Sequence, residues 1–542
     1  MFLKSHLRAA ALSAATLIVS GCAGIPQDRG LADSQALLTA RGGPAVSAPQ
    51  AEVDPEPQSA AWLAAPLSIE SAQRVALTRN PLLVSQYARL GIAQADVYEA
   101  ARVSNPMFSL SWLDASTGGA QIGLGLAQNF ADLLYLSPRK RRASGELLRT
   151  QQQVADELLK LASAVEAAYY GVVGAMAVAD LREAIAFAGA ASATLAQRFF
   201  EAGNISRLDL SREQAAATTV RIEAERAAAT VLSKRADLNT LMGLPAEEGH
   251  WAISTHLALP VSAEDNVASL QTLAQSSRLD LLAARQAVVV EEDVLGMTRS
   301  YRFLGDTEVG VDYERETDHS RLLGPALRLA LPIFNWGSGR IERAKANLEQ
   351  SQAAVRQMEI EISNDVQRTY AQVASTRERV ERYRAQLIPQ REEVVRRATE
   401  SQNYMLIGQF ELLQVKQQAY DAYQGYLETL ADYWIARAAL TKAVGARLPS
   451  SSHIDAAGVE PERLISPQKN DDGHVAHGAH SDAADMPGMD MKGGMDMQDM
   501  PGMESSGHDM RATPSQIVNP ASPPQTRHTD RPSTDGVRHA PH

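Results

Sequence analysis

The body of this chain is written twice, and that constrains its fold more than any other feature. Arg79-Asn80-Pro81-Leu82-Leu83 has a counterpart in Arg278-Leu279-Asp280-Leu281-Leu282, and each opens a helical stretch. Gly123-Leu124-Gly125-Leu126-Ala127-Gln128-Asn129-Phe130 pairs with Leu327-Arg328-Leu329-Ala330-Leu331-Pro332-Ile333-Phe334, and Ile205-Ser206-Arg207-Leu208-Asp209-Leu210 pairs with Ile407-Gly408-Gln409-Phe410-Glu411-Leu412. The offset stays near 200 residues, so two homologous repeats fill 67–260 and 261–448.

Each repeat has the same internal order. A helix of about 35 residues comes first, followed by two short strands, a very long helix, a tip and another long helix. The strands fall at about 106–130 and 306–333, where Phe108, Leu110 and Trp112 alternate with Ser109 and Ser111. Ile122, Leu124 and Leu126 alternate with Gly123 and Gly125; Val309, Val311 and Tyr313 with Gly310 and Asp312; Leu327, Leu329 and Leu331 with Arg328 and Ala330. A soluble sandwich gives the same period of two, so alternation alone does not decide the setting.

The helices are more decisive. No proline occurs between Pro138 and Pro245, and Pro389 alone lies between Pro332 and Pro449. Val154, Leu158, Leu161, Val165, Ala168, Val172 and Ala175 form a 4-3 stripe, while Val366, Val373, Val380, Leu387 and Val394 keep a seven-residue spacing, as in a coiled-coil seam. A helix over about 139–200 is roughly 90 Å long and crosses a compartment instead of surrounding a pocket. Four strands cannot close a membrane barrel, and an open edge in lipid leaves backbone groups unsatisfied. Either the strands lie outside the membrane or several chains share one barrel, and three chains give twelve strands.

The N-terminus reads as an export signal. Lys4 and Arg8 precede an apolar stretch at 9–19 that ends in Val19-Ser20-Gly21-Cys22, which resembles the bacterial lipobox. Residues 1–21 are then a lipoprotein signal peptide, Cys22 the lipidated residue and 22–66 a tether rich in Ala, Pro and Gly. Ala23 in place of Asp favours delivery to the outer membrane of a Gram-negative cell. Beyond this segment no apolar run reads as a spanning helix. The single Cys excludes a disulfide framework and a multi-thiolate zinc site, and the net charge of -12 argues against nucleic acid. Arg139-Lys140-Arg141-Arg142 reads as the opening of a long helix below the strands, and Gly337-Ser338-Gly339 as a turn. His250, His256 and His319 are isolated loop or surface histidines. No phosphate-binding or metalloprotease motif occurs, so the chain reads as no enzyme.

The duplicated helix–strand–strand–helix–helix plan, with Leu331-Pro332-Ile333-Phe334-Asn335-Trp336-Gly337 leading into a helix, resembles the TolC-like outer-membrane efflux factors. The resemblance covers 67–448. It implies a mainly α fold with a membrane β-barrel: a homotrimer in outer-membrane lipid, with a 12-strand β-barrel above a periplasmic α-helical tunnel. The implied partners are a periplasmic adaptor and an inner-membrane pump of the RND type. The entrance maps to about 200–209 and 404–414, where members of the family carry an acidic pair three residues apart. Glu411 and Gln414 match it, the first keeping the charge, and Asp209 is the equivalent in the first repeat. Three copies of Glu411 form a ring favouring cations; the alternative is a solvated charge on a helix turn. Gly203 and Gly408 are the expected turning points of the tips.

After Leu448 the periodicity stops. The segment 449–542 holds eleven of 25 Pro, eight of 15 Met and eight of 12 His, and reads as disordered. His474, His477 and His480 recur every three residues, followed by Met486, Met489, Met491, Met495, Met497, Met500, Met503, His508 and Met510. Thioethers are soft ligands suited to Cu(I) and Ag(I), and imidazoles extend the range to Cu(II) and Zn(II). Two other readings stand beside metal binding: a biased low-complexity tail, or an adherent Met surface for protein contacts. The expected function is an exit duct for copper or silver. The alternatives are a drug or protein-secretion duct, or a periplasmic metal-binding lipoprotein.

Overall fold

A computed structural model of the chain describes residues 28, 30–44, 56–453 and 458–459, apart from 115, 117, 304–306 and 331–332. They lie in one compact unit, Met1–Gln468; the second unit, Lys469–His542, lies outside them.

Two helices precede the repeats, α1 (Leu31–Thr39) and α2 (Glu56–Ala64). The first repeat runs α3 (Ile69–Arg79), α4 (Pro81–Ala100), β1 (Met107–Asp114), β2 (Ala120–Asn129), α5 (Ala131–Glu201) and α6 (Arg207–Met242). A two-residue strand β3 (Leu257–Ala258) leads into the second repeat: α7 (Val267–Ser277), α8 (Leu279–Ser300), β4 (Thr307–Arg315), β5 (Arg321–Leu329), α9 (Ser338–Arg382), α10 (Ile388–Asn403) and α11 (Gln409–Val444), with β6 (Gly458–Val459) after it.

The single leading helix expected in each repeat is in fact two. Asn80 sits at φ -65°, ψ 120° because the following proline disfavours the helical region for it. Its Oδ1 accepts the Leu82 N–H at 2.9 Å and its Nδ2 donates to the Leu241 carbonyl at 2.8 Å. Arg278 takes the same backbone angles, φ -64° and ψ 121°, with no proline beside it. The helix starts therefore pair Asn80 with Arg278, one residue away from the sequence pairing. In both repeats a left-handed glycine that ends the last helix packs on this break. A Cβ on Gly243 (φ 70°) would lie 2.8 Å from the Arg79 carbonyl, and one on Gly445 (φ 72°) would lie 2.9 Å from Arg278 Cγ.

The stretch read as a tether is not featureless. Leu31 and Leu38, seven residues apart on α1, are buried with Leu77, Leu83, Leu90, Val154 and Leu158. Arg41 Nε donates to the Ser277 carbonyl at 2.5 Å, and the Arg41 carbonyl accepts the Arg447 N–H at 2.9 Å. This segment thus ties the two repeats together.

The long helices obey the expected spacings up to two defined breaks. Helix α5 spans 71 residues, roughly 105 Å, and starts at Ala131 with Pro138 inside it, not at the basic quartet. An 18-residue window within it is apolar enough to cross a membrane, contrary to expectation. A third of that window is buried, and those residues serve packing. Val154 and Leu158 join one cluster, Val165 and Val172 a second with Leu238 and Met242, and Val173, Ala177, Leu181 and Ile185 a third with Leu427 and Leu430. The stripe therefore meets successive partners instead of one seam, because a straight helix of period 3.6 drifts away from a seven-residue repeat. In α9 Val366, Val373 and Val380 are fully buried. A π-turn at Tyr383–Leu387 then adds one residue, so Ile388 is buried where Leu387 was expected, and Val394 is exposed. Its sources are Pro389, which cannot donate backward, and Tyr383, whose hydroxyl occupies the place a Cβ on Gly425 would take.

The segment between the repeats is locked to the end of the second. Arg437 pairs with Glu264 at 2.5 Å, Tyr433 donates to the same carboxylate at 2.6 Å, Ser450 Oγ donates to Asp265 at 2.6 Å, and β3 pairs with β6.

A cavity of about 470 Å³ opens between α3, α5, α9 and α11, lined by Arg41, Asp156, Lys160, Glu166 and Arg447 among others. Burial pushes the Glu166 carboxyl above its ordinary value, with Arg437 and Arg447 opposing. A carboxyl whose pKa is higher folded than unfolded costs stability once ionised, and that cost grows as pH rises past the unfolded value of about 4.3. Glu166→Gln should therefore raise the unfolding midpoint at pH 7.5 by roughly 2–4 °C and lose part of the gain wild type shows toward pH 5. Circular-dichroism melts across this range check it; a pH-independent difference counts against the assignment.

Candidate functional site

Two features can form a conduit: the sheet and the two helix tips. The sheet is antiparallel in the order β1-β2-β4-β5, two hairpins joined through β2 and β4. Register aligns Leu110 with Leu124, Leu124 with Tyr313, and Tyr313 with Leu323. Phe108, Leu126 and Val311 form a second such row, so one face is continuously apolar across four strands. Its side chains are exposed in the single chain, Leu110 at 64% and Trp112 at 63%. The opposite face carries Ser109, Ser111, Gly123, Gly125 and Asp312 in facing register. There Arg328 meets Glu308 at 3.6 Å and Asp312 at 3.4 Å, and Gln121 donates to Glu314. Strands β1 and β5 are the edges, with no strand on their outer sides among the described residues.

The tips share one geometry. At the first, Asn204 N–H bonds to the Phe199 carbonyl (2.8 Å) and Gly203 N–H to Phe200 (2.9 Å); at the second, Leu406 N–H bonds to Ser401 (2.9 Å) and Met405 N–H to Gln402 (2.9 Å). These are matching helix stops that require a left-handed residue. Gly203 supplies it at φ 76°, as expected, but in the second repeat Met405 takes it at φ 58°. Gly408, expected to be the turning glycine, lies at φ -77°, ψ 159°, where any residue fits; it is the N-cap of α11. The left-handed form costs a non-glycine residue about 1 kcal/mol. Tyr404, Met405 and Leu406 project from this tip at 78%, 92% and 75% exposure, an apolar knob that sequence reasoning missed.

Asp209 and Glu411 occupy the same first-turn position in α6 and α11, but their surroundings differ. Ser206 caps α6 by accepting the Asp209 N–H at 3.1 Å, and its hydroxyl donates to the Asp209 carboxylate at 2.7 Å. Arg212 approaches the same carboxylate at 3.7 Å. Glu411 is exposed and has no ion-pair partner among the described residues, and Gln414 stands where the first repeat has Arg212. No hydrogen bond or ion pair joins the two tips among the described residues.

Cys22 and the twelve Met and His residues from His474 to Met510 lie outside the described residues. Among the described residues no group of three His, Cys, Asp or Glu fits a metal ion. His250, His256 and His319 are exposed and far apart in sequence, and His319 Nδ1 lies 3.0 Å from Arg315. Gly337 turns at φ 77° ahead of α9, as the motif predicts.

Residues 270–446 match the family described as outer membrane efflux protein. A membrane protein from Pseudomonas aeruginosa superposes with a TM-score of 0.61 and 17% identity, over 70% of this chain and 92% of its own. CusC, in a study of folding and transmembrane channel formation, gives 0.59 and 15% over 70% and 92%. The outer membrane protein VceC of Vibrio cholerae gives 0.58 and 16% over 70% and 96%. No curated protein matches. These structures share their fold with about 70% of this chain.

Proposed function

We propose that this chain is a TolC-like outer-membrane efflux channel component, a conduit and not an enzyme, and the lipid-anchored exit duct for copper or silver in a tripartite system. The open sheet carries the assembly step. Edge strands cannot lie bare in lipid, and the up-down order leaves β5 antiparallel to the β1 of a neighbouring copy, so three chains close a twelve-stranded barrel. The apolar face then meets lipid and the face bearing Arg328 and Asp312 lines the pore. Cys22 anchors each chain in outer-membrane lipid through its acyl group.

At the other end the tips form the entrance, with Glu411 as a ring favouring cations and Tyr404, Met405 and Leu406 offered to a periplasmic adaptor. The adaptor links the duct to an inner-membrane pump, for which the RND type is the proposed class. The Met- and His-rich segment carries the choice of metal, because thioethers bind Cu(I) and Ag(I) without deprotonation. It would raise the local concentration of metal near its own channel.

Deleting residues 470–511 should lower copper and silver tolerance about tenfold while heat-sensitive trimers still assemble and drug tolerance is unchanged. Unchanged metal tolerance with intact trimers would reject the tail's role. Loss of dye and antibiotic tolerance alone in a strain lacking the whole chain would favour a drug duct.

A further inference from the structure

Where the sheet hands over to helices, the surface changes character. Phe130, Leu133 and Leu134 follow β2, and Ile333, Phe334 and Trp336 precede α9, all exposed, with Phe334 at 99%. Phe303, at the corresponding place before β4, packs edge-on against Trp336 with ring centres 6.3 Å apart. Cations gather around this aromatic patch. The Arg302 guanidinium lies 4.3 Å from the Phe303 ring centre, and Arg340 Nη2 donates to the Arg302 carbonyl at 3.1 Å. Further along α5, Lys140, Arg141 and Arg142 are exposed in succession.

In a chain with a net charge of -12, such a concentration of unpaired cations is unexpected. Arg139 has Asp132 as its partner, but Arg302, Arg340, Lys140, Arg141 and Arg142 make no ion pair among the described residues. The position suggests what satisfies them. Strands of eight to ten residues, tilted as in membrane barrels, span about 20–25 Å of apolar depth. Just beyond that depth lies the headgroup layer, where aromatic rings and basic side chains anchor membrane proteins. Arg302 lies five residues before β4 and Arg340 in the first turn of α9, which follows β5, and the α5 quartet begins eight residues after Ala131, within about 20 Å of the sheet.

We propose that this aromatic and basic band is a binding belt for anionic phospholipid headgroups in the leaflet on the helix side of the membrane. Arg302 and Arg340 form its principal phosphate clamp beside Trp336, and the α5 quartet forms a second, outlying tier. The guanidinium fork suits a phosphate oxygen pair, and the rings place the clamp at the level of the glycerol backbone. The inference rests on the sheet being the membrane-spanning part and is independent of what the channel carries.

The test uses the full-length trimer in nanodiscs of phosphatidylethanolamine alone or with one fifth phosphatidylglycerol, read by lipid retention in native mass spectrometry and by trimer melting. Phosphatidylglycerol should be retained in preference and raise the melting temperature. Arg302→Gln with Arg340→Gln should weaken that preference about tenfold, and Arg302→Lys with Arg340→Lys, which keeps the charge without the fork, should restore only part of it. Lys140→Gln, Arg141→Gln and Arg142→Gln together should lower it less. Equal retention of the two lipids by wild type, or an unchanged preference in the Gln pair, would overturn the proposal. So would a preference for lipid A, which belongs to the opposite leaflet. Metal tolerance is not read in this experiment, so its failure leaves the efflux function untouched.

Discussion

Leu110→Arg should abolish the assembled channel. Leu110 is central in β1, 64% exposed in the single chain and aligned with Leu124 on the apolar face. An arginine near the bilayer midplane on a lipid-facing strand costs about 2–4 kcal/mol, and a trimer incurs it three times. The loss falls on an edge strand that must also pair with the next copy. Heat-sensitive trimers in outer-membrane fractions should drop at least tenfold, with the chain degraded or left unassembled. Ser111→Lys, one residue away on the opposite face, should assemble normally because its side chain enters the pore. If both variants assemble alike, the apolar face does not meet lipid and the barrel assignment fails.

Gly243→Ala should be the most costly single methyl group in the helical body. The residue needs a left-handed backbone, which alone costs a β-carbon about 1–2 kcal/mol. The added carbon would also stand 2.8 Å from the Arg79 carbonyl and the Asn80 Cα, both backbone and unable to step aside. A total near 3 kcal/mol is expected, a loss of several degrees in the unfolding midpoint. Gly203→Ala separates the two contributions: its φ is 76°, yet nothing lies within 4 Å of the new carbon, so it should cost only the backbone share. Equal losses for the two variants would show that the contact at the helix break carries no stability.

Much of this architecture was legible because it rests on periodicity and repetition. Alternation placed the first hairpin to within one residue at each end and the second to within one at its start and four at its end, and the proline-free runs marked the long helices. The features that escaped depend on contacts across the fold. Arg278 breaks its helix with no proline, held by Asp280 and by the approach of Gly445, and neither is visible from local spacing. Pro389 stood out in the sequence, but the one-residue slip it introduces also needs the Tyr383 hydroxyl over Gly425. Glycine is the usual turning residue, so local sequence points to Gly408 at the second tip, whereas Met405 takes the strained angle. Asp209 looked equivalent to Glu411 until Ser206 and Arg212 were seen to engage it.

The pairing of β6 with β3 has a further consequence for how such a protein can diversify. Gly458–Val459 is fastened to Leu257–Ala258, in the segment that joins the two repeats. Whatever follows Val459 begins at a site whose attachment is independent of the parts that assemble or conduct. An extension of any length or chemistry can be gained, exchanged or lost there without rewriting the duct. Sequence change beyond Val459 is thus uncoupled from the contacts that hold the two repeats together.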